Sequence, residues 1–297
     1  MNGNVTIRIL SVIVIPVIGL IIGMQPVFHV DQQARRDVLP VNEMSRTVLY
    51  RFHIHNSTNQ PVHRACFHLY APVKQTSTQR CTKIQSSHPY EMKAEAGGNQ
   101  MMIFPLATVP PYASKIVSIR ASLIMRTTPW ETGPFGSYLI ATIENKNIRN
   151  LAQKLRSDTP RETADNIYRW IIDHIQFTGY TREEKGASCA LARREGDCTE
   201  FADLFVAISR AAGLPARRVS GYLIPEGEVL KPGAYHDWAE FYERGAWRIA
   251  DAQQRNFDMR YPDYVATRIA PPVLSAESAG GFHQFYIEGD GLTVKMD

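Results

Sequence analysis

Cys198, His236 and Asp251 are the residues of this 297-residue chain whose types and setting suit chemistry. A cysteine attacks a carbonyl as its thiolate, and an ordinary thiol is mostly protonated near neutral pH, so a nucleophilic role needs a device that ionises it. Cys198 stands in Arg194-Glu195-Gly196-Asp197-Cys198-Thr199-Glu200-Phe201-Ala202. After it, Phe201, Leu204, Phe205, Ile208 and Ala211 recur at the spacing of a half-buried helix face, and Gly213-Leu214-Pro215 predicts the helix end. The thiol is therefore expected at a helix N-terminus, where the macrodipole and unpaired backbone N–H groups favour the thiolate.

An imidazole is the second device. His236-Asp237-Trp238-Ala239-Glu240-Phe241-Tyr242 and Trp247-Arg248-Ile249-Ala250-Asp251 read as a hairpin around the two-residue loop Arg244-Gly245. If Glu243 faces Ala246, Asp251 falls opposite Trp238 and diagonal to His236, on the same sheet face. A slip of one residue would separate them. In the expected register Asp251 holds the imidazole tautomer and stabilises its cation.

With these residues in place, the block from Gly196 to Tyr222, the His236 hairpin and Asp251 resemble the transglutaminase-like superfamily of papain-type thiol enzymes. The resemblance rests on Gly196-Asp197-Cys198, Ala211-Ala212-Gly213-Leu214-Pro215-Ala216-Arg217, His236-Asp237-Trp238-Ala239-Glu240 and Asp251. It covers roughly the second half of the chain and implies a Cys-His-Asp triad in an α+β papain-like domain. Ala252 follows Asp251 where the family usually has Pro, a change that removes a turn constraint and no catalytic atom.

A lone buried cysteine is more often a small hydrophobe than a nucleophile, and a lone strand histidine or strand-end aspartate is more often structural; the four ordered blocks favour catalysis for all three. Trp238 and Glu240 read as packing and scaffold groups. The backbone N–H of Cys198 is the natural first oxyanion donor, and Tyr180 is a candidate for the second, against its reading as a loop tyrosine. Cys189 lacks the Gly-Asp lead-in and the long following helix and reads as a packed cysteine; in an exposed setting it would pair with or guard Cys198.

Around this machinery the chain divides by pattern. Residues 1–30 contain an uncharged run from Ile9 to Met24, and the stretch from Ile9 to Val30 approaches spanning length with no Ala-x-Ala-like cleavage site after it, so an uncleaved single-pass membrane anchor is expected. Arg8 before the span and Arg35 and Arg36 after it leave sidedness open; an export-type start favours an extracytoplasmic catalytic domain, with the cytoplasmic side still open. Residues 31–45 read as a linker. Residues 46–140 read as an all-β, sandwich-like domain, from the alternation of Val48, Tyr50, Phe52 and Ile54 and of Val117, Ile119, Ala121, Leu123 and Met125. Residues 141–297 read as the catalytic domain, opened by helices of which one starts at Thr159-Pro160-Arg161-Glu162, a capping box with Pro at the first helical position. Cys66 and Cys81 lie in neighbouring strand-like runs, as a disulfide in an exported domain or as two unpaired cysteines. His53 and His55 share a strand face with His63 and His68 nearby; solvated strand histidines account for them better than a metal site.

The net charge of +4 is weak and scattered, which gives no support to nucleic-acid binding. The expectation is a membrane-anchored thiol enzyme that forms an acyl-enzyme at Cys198 and needs neither metal nor organic cofactor. Water as acceptor makes it a protease or amidase acting on peptide or protein, and an amine makes it a transamidase. An acyl thioester on a carrier protein is the alternative donor, as in amide formation on antibiotic assembly lines, and a non-catalytic envelope-binding module is the rival from another class.

Overall fold

Alternating apolar residues build two antiparallel sheets that bury one face each against the other. The computed structural model describes residues 42–132, 145–181, 183–271 and 284–297. The first sheet contains β1 (Glu43–Asn56), β3 (Gln79–Ser86), β6 (Ser114–Arg126) and β15 (Leu292–Met296), in the order β15-β1-β6-β3. The second contains β2 (Ala65–Ala71), β4 (Glu91–Ala94), β5 (Gln100–Leu106) and β14 (Phe285–Glu288), in the order β14-β2-β5-β4. Val48, Phe52, Ile54, Val117, Ala121 and Met125 of the first sheet meet Phe67, Leu69, Met102 and Phe104 of the second in one core. Phe52 and Phe67 lie 5.1 Å apart between ring centres, and each such buried side chain stabilises the sandwich by about 1.5–3 kcal/mol.

β1 begins at Glu43, inside the stretch expected to be a linker. The last described segment also differs from expectation. Residues 285–296 were placed by sequence with the catalytic domain, yet β14 pairs antiparallel with β2, and β15 with β1, as edge strands of the two sandwich sheets. Their short alternating pattern carries no mark of which edge it completes; Phe285 closes on Phe52 at 4.9 Å, so burial decides the location.

Between these edges lies an α+β unit. The helices α1 (Lys146–Leu155), α2 (Pro160–His174), α3 (Gly186–Arg193) and α4 (Cys198–Ala211) precede a five-stranded sheet in the order β12-β11-β10-β9-β13. Its strands are β9 (Ala216–Leu223), β10 (Tyr235–Glu243), β11 (Ala246–Asp251), β12 (Asn256–Phe257) and β13 (Tyr264–Ile269). The two-residue strands β7 (Gln176–Phe177) and β8 (Glu195–Gly196) pair in parallel and lead the chain into α4. α2 starts as expected, with Thr159 as N-cap and Pro160 in the first turn, and its Ile167 and Ile171 share a core with Leu204, Phe205 and Ile208 of α4 and Ala239 and Phe241 of β10. Gly213, at φ +83°, ends α4, and the N–H of Leu214 returns to the carbonyl of Ser209 at 2.9 Å.

The sheet does not float beside the sandwich. On the edge strand β13, Ala266 exchanges two hydrogen bonds with the Gln79 side-chain amide, at 2.9 and 3.0 Å, and Ile269 exchanges two with that of Asn99, at 2.8 and 2.9 Å. Both amides are buried and stand in for a neighbouring strand, which blunts the open edge. Among the described residues no helix is long and apolar enough to cross a membrane. The anchor expected over residues 1–30 lies outside the described residues.

Candidate active site

The start of α4 is fixed before its thiol is considered. Asp197 is the N-cap: its carboxylate accepts the N–H of Thr199 at 2.9 Å, while Glu200 reaches back to the N–H of Asp197 at 3.1 Å. The same two carboxylates hold the preceding loop, taking the N–H of Thr181 at 2.9 Å and of Lys185 at 2.8 Å. Gly196 makes room for this box, since a Cβ there would lie 2.4 Å from the Cβ of Glu200. The pattern Asp-x-x-Glu at positions 197–200 is a helix-start signature present in the sequence beyond the apolar stripe used above.

Cys198 therefore occupies the first turn of α4, and it is only 2% exposed. Burial pushes the thiol up to about 12, the Asp237 carboxylate adds to the rise, and the backbone N–H of Asp237 on the sulfur offsets part of it. Burial thus opposes the helix terminus, the first of the two devices expected to favour the thiolate. Asp237 is itself buried and receives hydroxyls from Thr199 at 2.7 Å, from Tyr235 at 3.1 Å and from Ser220. Sequence reasoning passed over this network, because its members are scattered polar residues on three elements.

The hairpin has the register argued from sequence. Glu243 pairs with Ala246 and Ala239 with Ala250, across the turn at Arg244-Gly245. His236 Nε2 and Asp251 Oδ2 come within 2.7 Å, both residues 2% exposed. A carboxylate only accepts, so Nε2 carries the proton and Nδ1 is the basic nitrogen. That Nδ1 is buried and has no hydrogen-bond partner among the described residues. No hydrogen bond joins it to Cys198, and the sulfur is placed instead by the N–H of Asp237, the residue next to His236.

Asp251 is held on every side. Tyr264 donates its hydroxyl to Oδ2 at 2.9 Å, and the N–H of Gln254 donates to Oδ1 at 3.1 Å. The second bond keeps the turn after Asp251 although Ala252 occupies the position where Pro was expected. Tyr264 had no signal in the sequence, being brought in from β13 across the sheet.

Trp238 and Glu240 sit in the scaffold. Trp238 packs edge-on against Tyr264 at 5.1 Å, and Glu240 accepts from Arg217 Nε at 2.8 Å, directly across the β9–β10 ladder. Tyr180 is 63% exposed, stacks edge-on with Phe177, and lies within electrostatic reach of Cys198, Asp197 and Asp251, so it borders the site from the solvent side. Cys189 is half-buried in α3 and free. Cys66 and Cys81 are also free: Cys81 lies against the sandwich core and Cys66 faces outward from the opposite sheet, which removes the disulfide option. His53 contacts Asp297, His55 contacts Ser114 and His63 contacts Thr108, so these three histidines do not converge.

Comparison with known proteins agrees with this geometry. Residues 149–252 match the family model of the transglutaminase-like superfamily. A Mycobacterium tuberculosis protein of unassigned function is 39% identical over 87 residues, covering 28% of this chain and 27% of its own. Mouse kyphoscoliosis peptidase is 27% identical over 117 residues, covering 36% of this chain and 17% of the peptidase. A Mycobacterium leprae protein is 29% identical over 97 residues, 31% of this chain and 35% of its own, so the chain spans about a third or less of the length of these relatives. Among solved structures, a candidate cysteine protease from Cytophaga hutchinsonii superposes with a TM-score of 0.53 at 17% identity, covering 86% of this chain and 92% of that one, a likeness of fold. Over residues 149–252 this chain is thus similar to the transglutaminase-like superfamily.

Proposed function

We propose that this protein is a cysteine-dependent acyltransferase or amidase acting on peptide or protein amides. The observation that carries the reading is the buried His236–Asp251 pair at 2.7 Å, with an Nδ1 that has no hydrogen-bond partner among the described residues and, held by the backbone N–H of the adjoining Asp237, a thiol at a helix N-terminus. Buried alone, the thiolate is costly, but moving its proton onto Nδ1 creates a neutral ion pair rather than a net charge, and Asp251 stabilises the imidazolium. The sulfur then attacks the amide carbonyl, and the oxyanion takes the N–H of Cys198, with Tyr180 as second donor. As the C–N bond breaks, His236 returns the proton to the leaving amine. Water or a second amine, deprotonated by His236, then attacks the thioester and frees Cys198.

The name of the mouse relative supports the hydrolytic branch by analogy, and the accepting group is chosen by what reaches the thioester first. Incubating the full chain with denatured casein and a biotinylated primary amine tests both branches. Peptide fragments or incorporated biotin, lost in Cys198→Ala, support the proposal. Neither product, together with a Cys198 that alkylates no faster than a buried inert thiol, would overturn it. We also propose that residues 9–30 tether the chain to a membrane, which predicts that the full chain sediments with membranes and a chain starting at Asp31 does not.

A further inference from the structure

On the outer face of the second sandwich sheet, away from the triad, three different metal-ligating side chains converge. Cys66 and His68 are two apart on β2 and so share a face. In the antiparallel ladder with β14, Glu288 lies directly opposite Cys66, and Tyr286 directly opposite His68. Directly opposite and diagonal neighbours bring side-chain ends together, and here one ligand atom from each of Cys66, His68 and Glu288 lies within 4.8 Å of the other two.

The imidazole is the fixed member. His68 is 8% exposed, and its ring stacks on Tyr286 at 4.3 Å with the planes 5° apart. Its Nε2 is buried and makes no hydrogen bond among the described residues, although Glu288 Oε1 lies 3.3 Å away. A buried ring nitrogen that makes no hydrogen bond costs free energy that a metal bond would recover. Glu288 is the adaptable member, with its side chain 62% exposed. A tetrahedral zinc, with bonds of about 2.0–2.3 Å, holds its ligand atoms roughly 3.3–3.8 Å apart, so modest rotation of Cys66 and Glu288 suffices to close the set.

We propose that Cys66, His68 and Glu288 form a binding site for a zinc-like divalent transition metal, with one position open to solvent. A set of one thiolate, one imidazole and one carboxylate suits zinc or cobalt, and it disfavours magnesium and calcium, which prefer oxygen ligands alone. Binding displaces the Cys66 thiol proton to solvent as the sulfur–metal bond forms. The metal bridges β2 to the edge strand β14, so it pins the C-terminal segment of the chain to the sandwich.

The test uses the full chain carrying Cys198→Ala, which removes the other thiol–imidazole pair as a competing ligand set. Titration with cobalt(II) should give one equivalent bound, with a near-ultraviolet thiolate-to-cobalt charge-transfer band and visible bands of tetrahedral intensity; zinc should displace it. Cys66→Ser should abolish the charge-transfer band. Glu288→Gln, at an exposed position that leaves folding intact, should weaken zinc binding by more than the roughly 10–100-fold usual for loss of an outer-sphere partner. Cys81→Ser and Cys189→Ser should change neither. No thiolate band, a band that survives Cys66→Ser, or zinc affinity indifferent to Glu288→Gln would each overturn the assignment.

Discussion

Cys198 shows that a helix terminus does not by itself ionise a buried thiol. Its position in the first turn of α4 favours the thiolate, but burial beside Asp237 outweighs that and pushes the thiol up to about 12. Reactivity near neutral pH then depends on the free Nδ1 of His236. In His236→Ala, alkylation of Cys198 by iodoacetamide should rise about tenfold per pH unit from neutral towards pH 11, because only the rare free thiolate reacts. In the wild type the profile should level off several units lower. Superimposable profiles would refute the proton-transfer role. The raised thiol also bears on stability: an unfolded cysteine ionises near pH 9 while the folded one keeps its proton to about 12, so the folded state binds more protons in that window and loses stability as pH rises. Cys198→Ala should remove that share of the alkaline loss, by as much as about 1.4 kcal/mol per pH unit in urea titrations. Tyr264→Phe keeps the ring against Trp238 and removes only the hydroxyl on Asp251. Loss of a hydrogen bond to a charged group is worth about 1.5–3 kcal/mol, so kcat should fall roughly 10–100-fold with KM little changed. The helix start at Cys198 and the meeting of His236 with Asp251 were legible because motif and pleat place them; Tyr264 and Asp237's partners were not, since they come together only through the folded sheet.

At the scale of elements, legibility follows locality. The hairpin register could be argued because a two-residue loop ties β10 to β11, and one fixed pair, Glu243 with Ala246, sets every other. The end of α4 could be read from Gly213 for the same reason. The start of α4 is held by short-range contacts too, and these make a sharp prediction. Gly196→Ala would drive a Cβ to 2.4 Å from the Cβ of Glu200, so Glu200 must leave both the N–H of Asp197 and that of Lys185. The loss of the box should cost about 1–2 kcal/mol of stability. Activity should fall further than stability explains, because the loop carrying Tyr180 and Thr181 is released along with the helix end. Chemical denaturation beside product assays separates the two. A Gly196→Ala chain with full activity and full stability would show that the box does not set the position of the thiol.

At the scale of the whole molecule, the contacts that join the sandwich to the five-stranded sheet are the ones sequence could not show. Gln79 and Asn99 lie 187 and 170 residues from the backbone groups they satisfy on β13, and nothing local marks them. The return of β14 and β15 to the sandwich edges is equally distant: His53 pairs with Lys295, and Phe67 with Ile287. Loop closure over such separations is a cost that burial must offset, so these strands should be the sandwich's last and weakest additions. Removing residues 285–297 distinguishes a contiguous C-terminal domain from this interleaved one. A self-contained catalytic domain would lose its own protection and leave the sandwich intact. The observed pairing predicts the opposite. Hydrogen exchange should quicken in β1 and β2, whose outer edges open, while β9, β10 and β11 stay protected and Cys198 still alkylates with the wild-type pH profile. If Gln79→Ala and Asn99→Ala are added, each costing about 1–3 kcal/mol, the two parts should separate into distinct unfolding transitions. A truncated chain that keeps slow exchange in β1 and β2 would mean that their edges do not depend on the C-terminal strands, and that the sandwich is complete without them.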